Sequence, residues 1–319
     1  MFQVFSSTLT QMLVMFSFIV IGYLLNKGKI LPQDTPGALS KLENYCLVPA
    51  LVMNNFMQYC TVKSISEKYP LILYSAVILA VALAIAFVLS NYFVRDAYQK
   101  NIYKYALTFG NFSFMGTAVI KAMYGDDMLF NYLMFILPLN LVVYTWGIVI
   151  LIPIKTGSNP LKNLINPVFV GMIIGALMGL LDLGKYLPKF LSDTISSASA
   201  CMAPIAMILT GFVVANYDLK KLLVQGRVYF ATVLRLIVLP SIFVLGLKAV
   251  GADQTTIIVT LMAYATPLGI NTVVFPAAYG GDTTTGASMA LISHTIAVIT
   301  IPPKSDNLNF LFFIPISLK

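Results

Sequence analysis

Two short stretches concentrate polar residues and helix breakers inside otherwise apolar sequence. One is Gly110-Asn111-Phe112-Ser113-Phe114-Met115-Gly116; the other is Thr266-Pro267-Leu268-Gly269-Ile270-Asn271-Thr272. Proline removes a helix donor and glycine weakens a helix. Both stretches should therefore unwind, with Gly110 and Gly269 as hinges. Bare backbone at membrane depth is tolerated only where it lines a cavity or is buried in protein. The half-helix that resumes after a break presents amide groups and the positive end of its dipole, which favour an anion. Asn111, Ser113, Thr266 and Asn271 add neutral donors, with Gly116 and Pro267 framing the breaks. This is chemistry for holding an anion, not for making or breaking bonds. Close helix packing is the competing use of glycine, but Gly110 and Gly116 lack the GxxxG spacing it favours.

The two stretches are related. Cys46 and Pro49 of CLVPALVM match Cys201 and Pro204 of CMAPIAMI, and Tyr124, Gly125 and Asp127 match Tyr279, Gly280 and Asp282. Every pair differs by 155 positions, as 279 − 124 shows, and the same offset carries Asn111 onto Thr266 and Gly116 onto Asn271. The chain is thus read as a repeat, 1–155 and 156–303, followed by an atypical tail at 304–319. Pro49 and Pro204 are expected to kink equivalent helices symmetrically.

The elements that carry these residues follow from composition. Of 319 residues, 59% are hydrophobic and 10% are charged, against about 25% charged in a soluble domain. Ten apolar segments approach the roughly 20 residues a span needs: 6–26, 38–58, 69–93, 104–123, 128–153, 164–181, 194–215, 228–249, 256–278 and 283–302. The expected fold class is an all-α integral membrane protein with ten transmembrane helices. The opening residues lack a basic start and a cleavage site, so they read as a retained first span. Five spans per repeat invert the second copy relative to the first. Inverted repeats with interrupted helices at matching places mark secondary transporters.

The net charge of +8 does not point to nucleic acid, because basic residues do not cluster with aromatics. It sets orientation. Loops after spans 1, 3, 5 and 7 hold Lys27, Lys29, Lys41, Arg95, Lys100, Lys104, Lys155, Lys162, Lys220, Lys221 and Arg227. The opposite side holds fewer, which places both termini outside the cytoplasm, in a plasma or bacterial inner membrane.

Single residues take their meaning within this frame. Asn140 and Tyr144 lie one turn apart on one helix face and either line the cavity or bond neighbouring helices. Arg235 is a candidate for a charge role, with snorkelling to the cytoplasmic interface favoured instead. Lys121 is also expected to snorkel. His294, the one histidine, is either a proton relay or a packed, hydrogen-bonded side chain, with the second favoured. One histidine and three cysteines leave no material for a metal site or disulfide framework, and no cofactor is implied. Glu43 and Asp126 read as lying near helix ends, so no carboxylate is expected at mid-span. That argues weakly for uniport and leaves coupling to H+ or Na+ open. The same poverty of nucleophile, base and metal ligands argues against an intramembrane enzyme.

At GNFSFMG and its YG turn, NPVFVGMIIGALMGLL, MAPIAMILTGFVVAN, LRLIVLP and ATPLGINTVVFPAAYGGD, the chain resembles the auxin efflux carrier family, which includes plant PIN proteins. The likeness runs from the first span to about Pro302. The resemblance implies a scaffold domain of helices 1, 2, 6 and 7, a transport domain of helices 3–5 and 8–10, and crossed broken helices 4 and 9. It implies an elevator-like movement, and small organic anions such as malate, malonate or auxin as substrates. A homodimer through the scaffold domain is a candidate assembly. Ala118 stands near the place where the family carries a proline, which weakens the expected break in helix 4. Pro302, Pro303, Lys304 and Asp306 are expected to stop the last helix. A sodium-coupled symporter of the bile-acid type and a membrane-embedded sensor are the alternatives.

Overall fold

A computed structural model describes residues 2–153 and 166–306. Lys155, Lys162 and the tail from 307 lie outside the described residues. The described chain is helical, without a strand. Its helices are α1 (Phe2–Lys27), α2 (Thr35–Leu42), α3 (Val48–Tyr59), α4 (Val62–Phe93), α5 (Ala97–Thr108), α6 (Thr117–Phe135), α7 (Leu137–Val142) and α8 (Ile148–Leu151). They continue with α9 (Pro167–Leu180), α10 (Lys189–Ala215), α11 (Leu219–Leu223), α12 (Gly226–Val233), α13 (Leu239–Ala249), α14 (Gln254–Tyr264), α15 (Asn271–Tyr279) and α16 (Thr284–Asp306).

Among the described residues, four stretches are long and apolar enough to cross a membrane: Leu9–Lys27, α4, α10 and Gly226–Ala249. Phe112–Phe135 with Leu137–Leu151, bent by 44°, makes a fifth. Helix runs through the other apolar segments in shorter pieces. Gly125 (φ 78°) interrupts α6 at the YG turn. That left-handed conformation suits glycine, which has no Cβ to clash.

Four π-helical turns interrupt the described helices: Glu43–Leu47, Phe112–Gly116, Val143–Gly147 and Leu234–Val238. Each inserts one extra residue per turn and re-aims the side chains beyond it, a device frequent at functional sites. They carry Glu43, Ser113, Tyr144 and Arg235. Pro49 follows one of these turns at the start of α3, whereas Pro204 sits inside the uninterrupted α10. The chain thus treats these two repeat-matched prolines differently. The last helix runs on to Asp306, past the prolines expected to stop it. Proline's fixed φ is compatible with helix, and its cost is a lost donor and crowding of the preceding turn.

Glycines let two helix pairs approach closely. Gly22 of α1 lies against the Ile208 carbonyl of α10, and Gly211 of α10 against the Ile19 carbonyl of α1. The Gly171-Gly175-Gly179 row of α9 lies on the backbone of α3: a Cβ there would come within 2.8 Å of the Pro49 oxygen, 2.5 Å of Met53 and 2.6 Å of Phe56. Each pair joins the first segment of one repeat to the second segment of the other. Asn26 locks the α1–α10 pair by donating to the Phe212 carbonyl (3.0 Å) and to Asn216 Oδ1 (2.7 Å). The outward faces stay apolar, with Leu13, Ile21 and Leu24 on α1 and Val170, Ile174 and Leu177 on α9 exposed. Such a surface suits lipid. Against this group of helices lies α15, which packs on α2, α10 and the turn Glu43–Leu47.

Candidate substrate site at the paired helix breaks

Both expected interruptions are present. The first half-helix α5 ends at Thr108, and the π-helical turn that leads into α6 starts at Phe112. The second, α14, ends at Tyr264 and α15 starts at Asn271. The helix 4 break forms despite Ala118. The two broken segments touch: Gly110 and Leu268 form an isolated antiparallel bridge, and the Asn111 amide donates to the Pro267 carbonyl at 2.8 Å. Glycine is required at this contact. A Cβ on Gly269 would stand 2.8 Å from the Phe109 oxygen, and one on Gly110 would stand 2.5 Å from Thr266 Oγ1.

Arg235 anchors the contact from behind. Its Nη1 donates to the carbonyls of Leu107 (3.1 Å) and Thr108 (3.0 Å), and Nη2 donates to that of Ala263 (3.1 Å). These are the open carbonyl ends of α5 and α14. The guanidinium also stacks over Tyr264, 4.8 Å from its ring centre. Arg235 is 0% exposed, so the snorkelling expectation is corrected. Two negative helix ends converge on it and bind it better than the interface would. Among the described residues the ion pairs are Lys121–Asp126 and Lys185–Asp182, so no carboxylate neutralises Arg235. Lys121 is exposed and pairs with Asp126 at 3.4 Å.

The cleft in front of the breaks is lined by Tyr105, Gly110, Asn111, Ser113, Tyr144 and Asn271, among others. Asn271 Nδ2 donates to the Tyr105 hydroxyl at 2.7 Å, and Ser113 Oγ donates to Asn140 Oδ1 at 2.9 Å. Asn111 Nδ2 pairs with His294 Nε2 at 3.2 Å, while His294 Nδ1 faces the Ala290 carbonyl at 2.9 Å. A carbonyl only accepts, so Nδ1 carries the hydrogen and Nε2 accepts from Asn111. This is a neutral, fully bonded histidine. As first-turn residues of a resumed helix, Phe112, Ser113 and Phe114 have amides with no acceptor inside that helix.

The structure thus brings Asn111, Ser113, Asn140, Tyr144, Asn271, Gly110, Gly269 and His294 together. The remaining expected residues play other parts. Thr266 turns back to the Ala263 carbonyl (3.1 Å), Pro267 contributes its carbonyl, and a Cβ on Gly116 would collide with the Tyr132 hydroxyl. Pro49 lies against α9 and Pro204 in α10, away from the cleft. Sequence reasoning missed Tyr105, one turn before the first break. It also missed Tyr132, which donates to the Phe112 carbonyl at 2.9 Å, and Ser293, which accepts from the Leu268 amide at 3.1 Å. The adjacency of Ser293 to His294 was the available signal.

A family model described as membrane transport protein matches residues 7–159 and, again, residues 156–303. The chain belongs to the auxin efflux carrier family of membrane transport proteins. No individual curated protein matches it. For an auxin efflux carrier family member the double match has a structural meaning. Each copy supplies one broken helix, and the candidate site forms only where the copies meet. The protein is a multi-pass integral membrane transporter.

Proposed function

We propose that the protein is a secondary transporter of small organic anions, carboxylates such as malate or malonate or auxin-like acids. One observation carries this reading: two repeat-matched helix breaks bonded backbone to backbone, with Asn111, Ser113, Tyr105 and Asn271 around a common cleft. The resumed half-helices point their positive ends there. Arg235 satisfies the negative ends of both first halves, so those ends do not repel an anion. A carboxylate entering the cleft would meet the amide donors of the resumed half-helices.

The mechanism is an elevator. The chain forms ten spans in two inverted sets of five, with the broken helices crossed. Helices α1, α2–α3, α9 and α10 form the scaffold, and α4–α8 with α12–α16 form the moving domain. The cleft here holds only ≈ 10 Å³, about one water, so substrate enters when the moving domain leaves this position. The excess of positive residues in one set of loops supports an orientation with both termini outside the cytoplasm.

The test is uptake of labelled malate, malonate and indole-3-acetate into proteoliposomes. Saturable flux of one acid is the expected result, and imposed pH and sodium gradients identify the coupling ion. Binding without flux would make the protein a sensor. Strict sodium dependence would favour a symporter of the bile-acid type.

A further inference from the structure

The sequence suggests that Glu43 lies near a helix end. It sits instead in the π-helical turn between α2 and α3, 0% exposed, and neither carboxyl oxygen has a hydrogen-bond partner. Its neighbour Asn44 is also buried; Nδ2 donates to the Ser40 carbonyl at 2.8 Å, while Oδ1 has no partner. The turn packs on α9, α10 and α15. Glu43 therefore lies where the scaffold helices meet α15, the half-helix that begins at the site residue Asn271.

The surrounding elements offer no compensating charge. On α15 the titratable residue is Tyr279, half-buried. On α10 they are Lys189, Asp193 and Cys201, all exposed, and α9 has none. On its own segment Lys41, Tyr45 and Cys46 are exposed. An isolated buried carboxylate ion costs far more than the same group carried as a neutral acid. A buried acid inside a membrane segment is a functional candidate by default.

We propose that Glu43 is a proton-binding site whose occupancy is tied to the position of α15, so that proton binding is coupled to transport. The inference rests on the transporter reading. With α15 in place, a proton is bonded to a carboxyl oxygen and the group is neutral. When the moving domain carries α15 away, water reaches Glu43, and the O–H bond breaks to release the proton to that water. The covered state holds the extra proton. It therefore gains population as pH falls and loses it as pH rises.

Two measurements test this. The chain has two glutamates, Glu43 and the exposed Glu67. Infrared difference spectra of the wild-type protein, with and without ¹³C-glutamate, isolate their carbonyl stretch without mutation. A protonated, water-shielded glutamic acid band that disappears as pH rises is expected, and Glu43→Gln should lack it. Absence of an isotope-shifted acid band overturns the proposal. In proteoliposomes, Glu43→Gln should keep substrate exchange at equal pH and lose the response of flux to a pH gradient. A response like that of the wild type overturns the proposal. If neither protein carries any tested anion, the transporter reading fails, and the infrared band still decides whether Glu43 holds a proton.

Discussion

Asn111 and Asn271 are the side chains on which the site reading stands. Each is tied by one hydrogen bond to a buried partner, His294 or Tyr105, and each lines the cleft. Replacing either by alanine should lower the kcat/KM of uptake about tenfold, the worth of roughly one good hydrogen bond. Folded yield, read by size-exclusion chromatography, should stay near normal. Loss of fold in both variants without a selective loss of flux would make these residues packing elements. Arg235 behaves differently. Lysine keeps the charge but not the planar fork that reaches three carbonyls on two helices. Arg235→Lys should therefore lower the melting temperature, at a cost on the order of 2 kcal/mol. A melting curve equal to wild type would contradict the anchoring role. The asparagines were legible because their types and matched spacing are local facts. The role of Arg235 was not, since residues 107, 108 and 263 meet it only in three dimensions. Glu43 escaped for the same reason: distance along the helix is a poor guide to burial when other helices cover its end.

In the elevator reading the helices divide into those that stay closely packed and those that part. The α9 row Gly171-Gly175-Gly179 meets α3 backbone, which cannot yield as a side chain could. Gly175→Val should overpack this contact and cost about 1–3 kcal/mol, seen as a lower melting temperature. Gly246→Ala is the matched control. It has open space around it and lies in α13, so the melt should hold or rise by roughly 0.5–1 kcal/mol of helix propensity. Equal effects at the two sites would remove the packing argument. Both broken helices were legible from Pro267 and the clustered glycines, even with Ala118 in the place of a proline. The four π-helical turns were not. A one-residue insertion into a helix leaves no mark on an apolar sequence, because its cost is met by packing and not by a distinctive residue.

Taken whole, the molecule pairs α1 with α10 and α9 with α3, and sets α15 against the group so formed. In the elevator reading the first two contacts persist and the last one slides. After replacement of Cys46, Cys60 and Cys201, a cysteine crosslink joining α1 to α10 should leave flux unchanged. One joining α2 to α15 should abolish flux until it is reduced. Flux that survives the second crosslink would exclude sliding at that surface. The fixed Arg235 contacts also say something about how the protein is made. The carbonyls of Leu107 and Thr108 receive their donor from a residue 128 and 127 positions later. While the ribosome is still delivering the second copy, the first copy lacks that donor, and bare carbonyls are costly in lipid. In this arrangement the first half is incomplete alone. Its completion waits on the insertion of the segment that carries Arg235, so biogenesis of this transporter ends with the two halves being finished together.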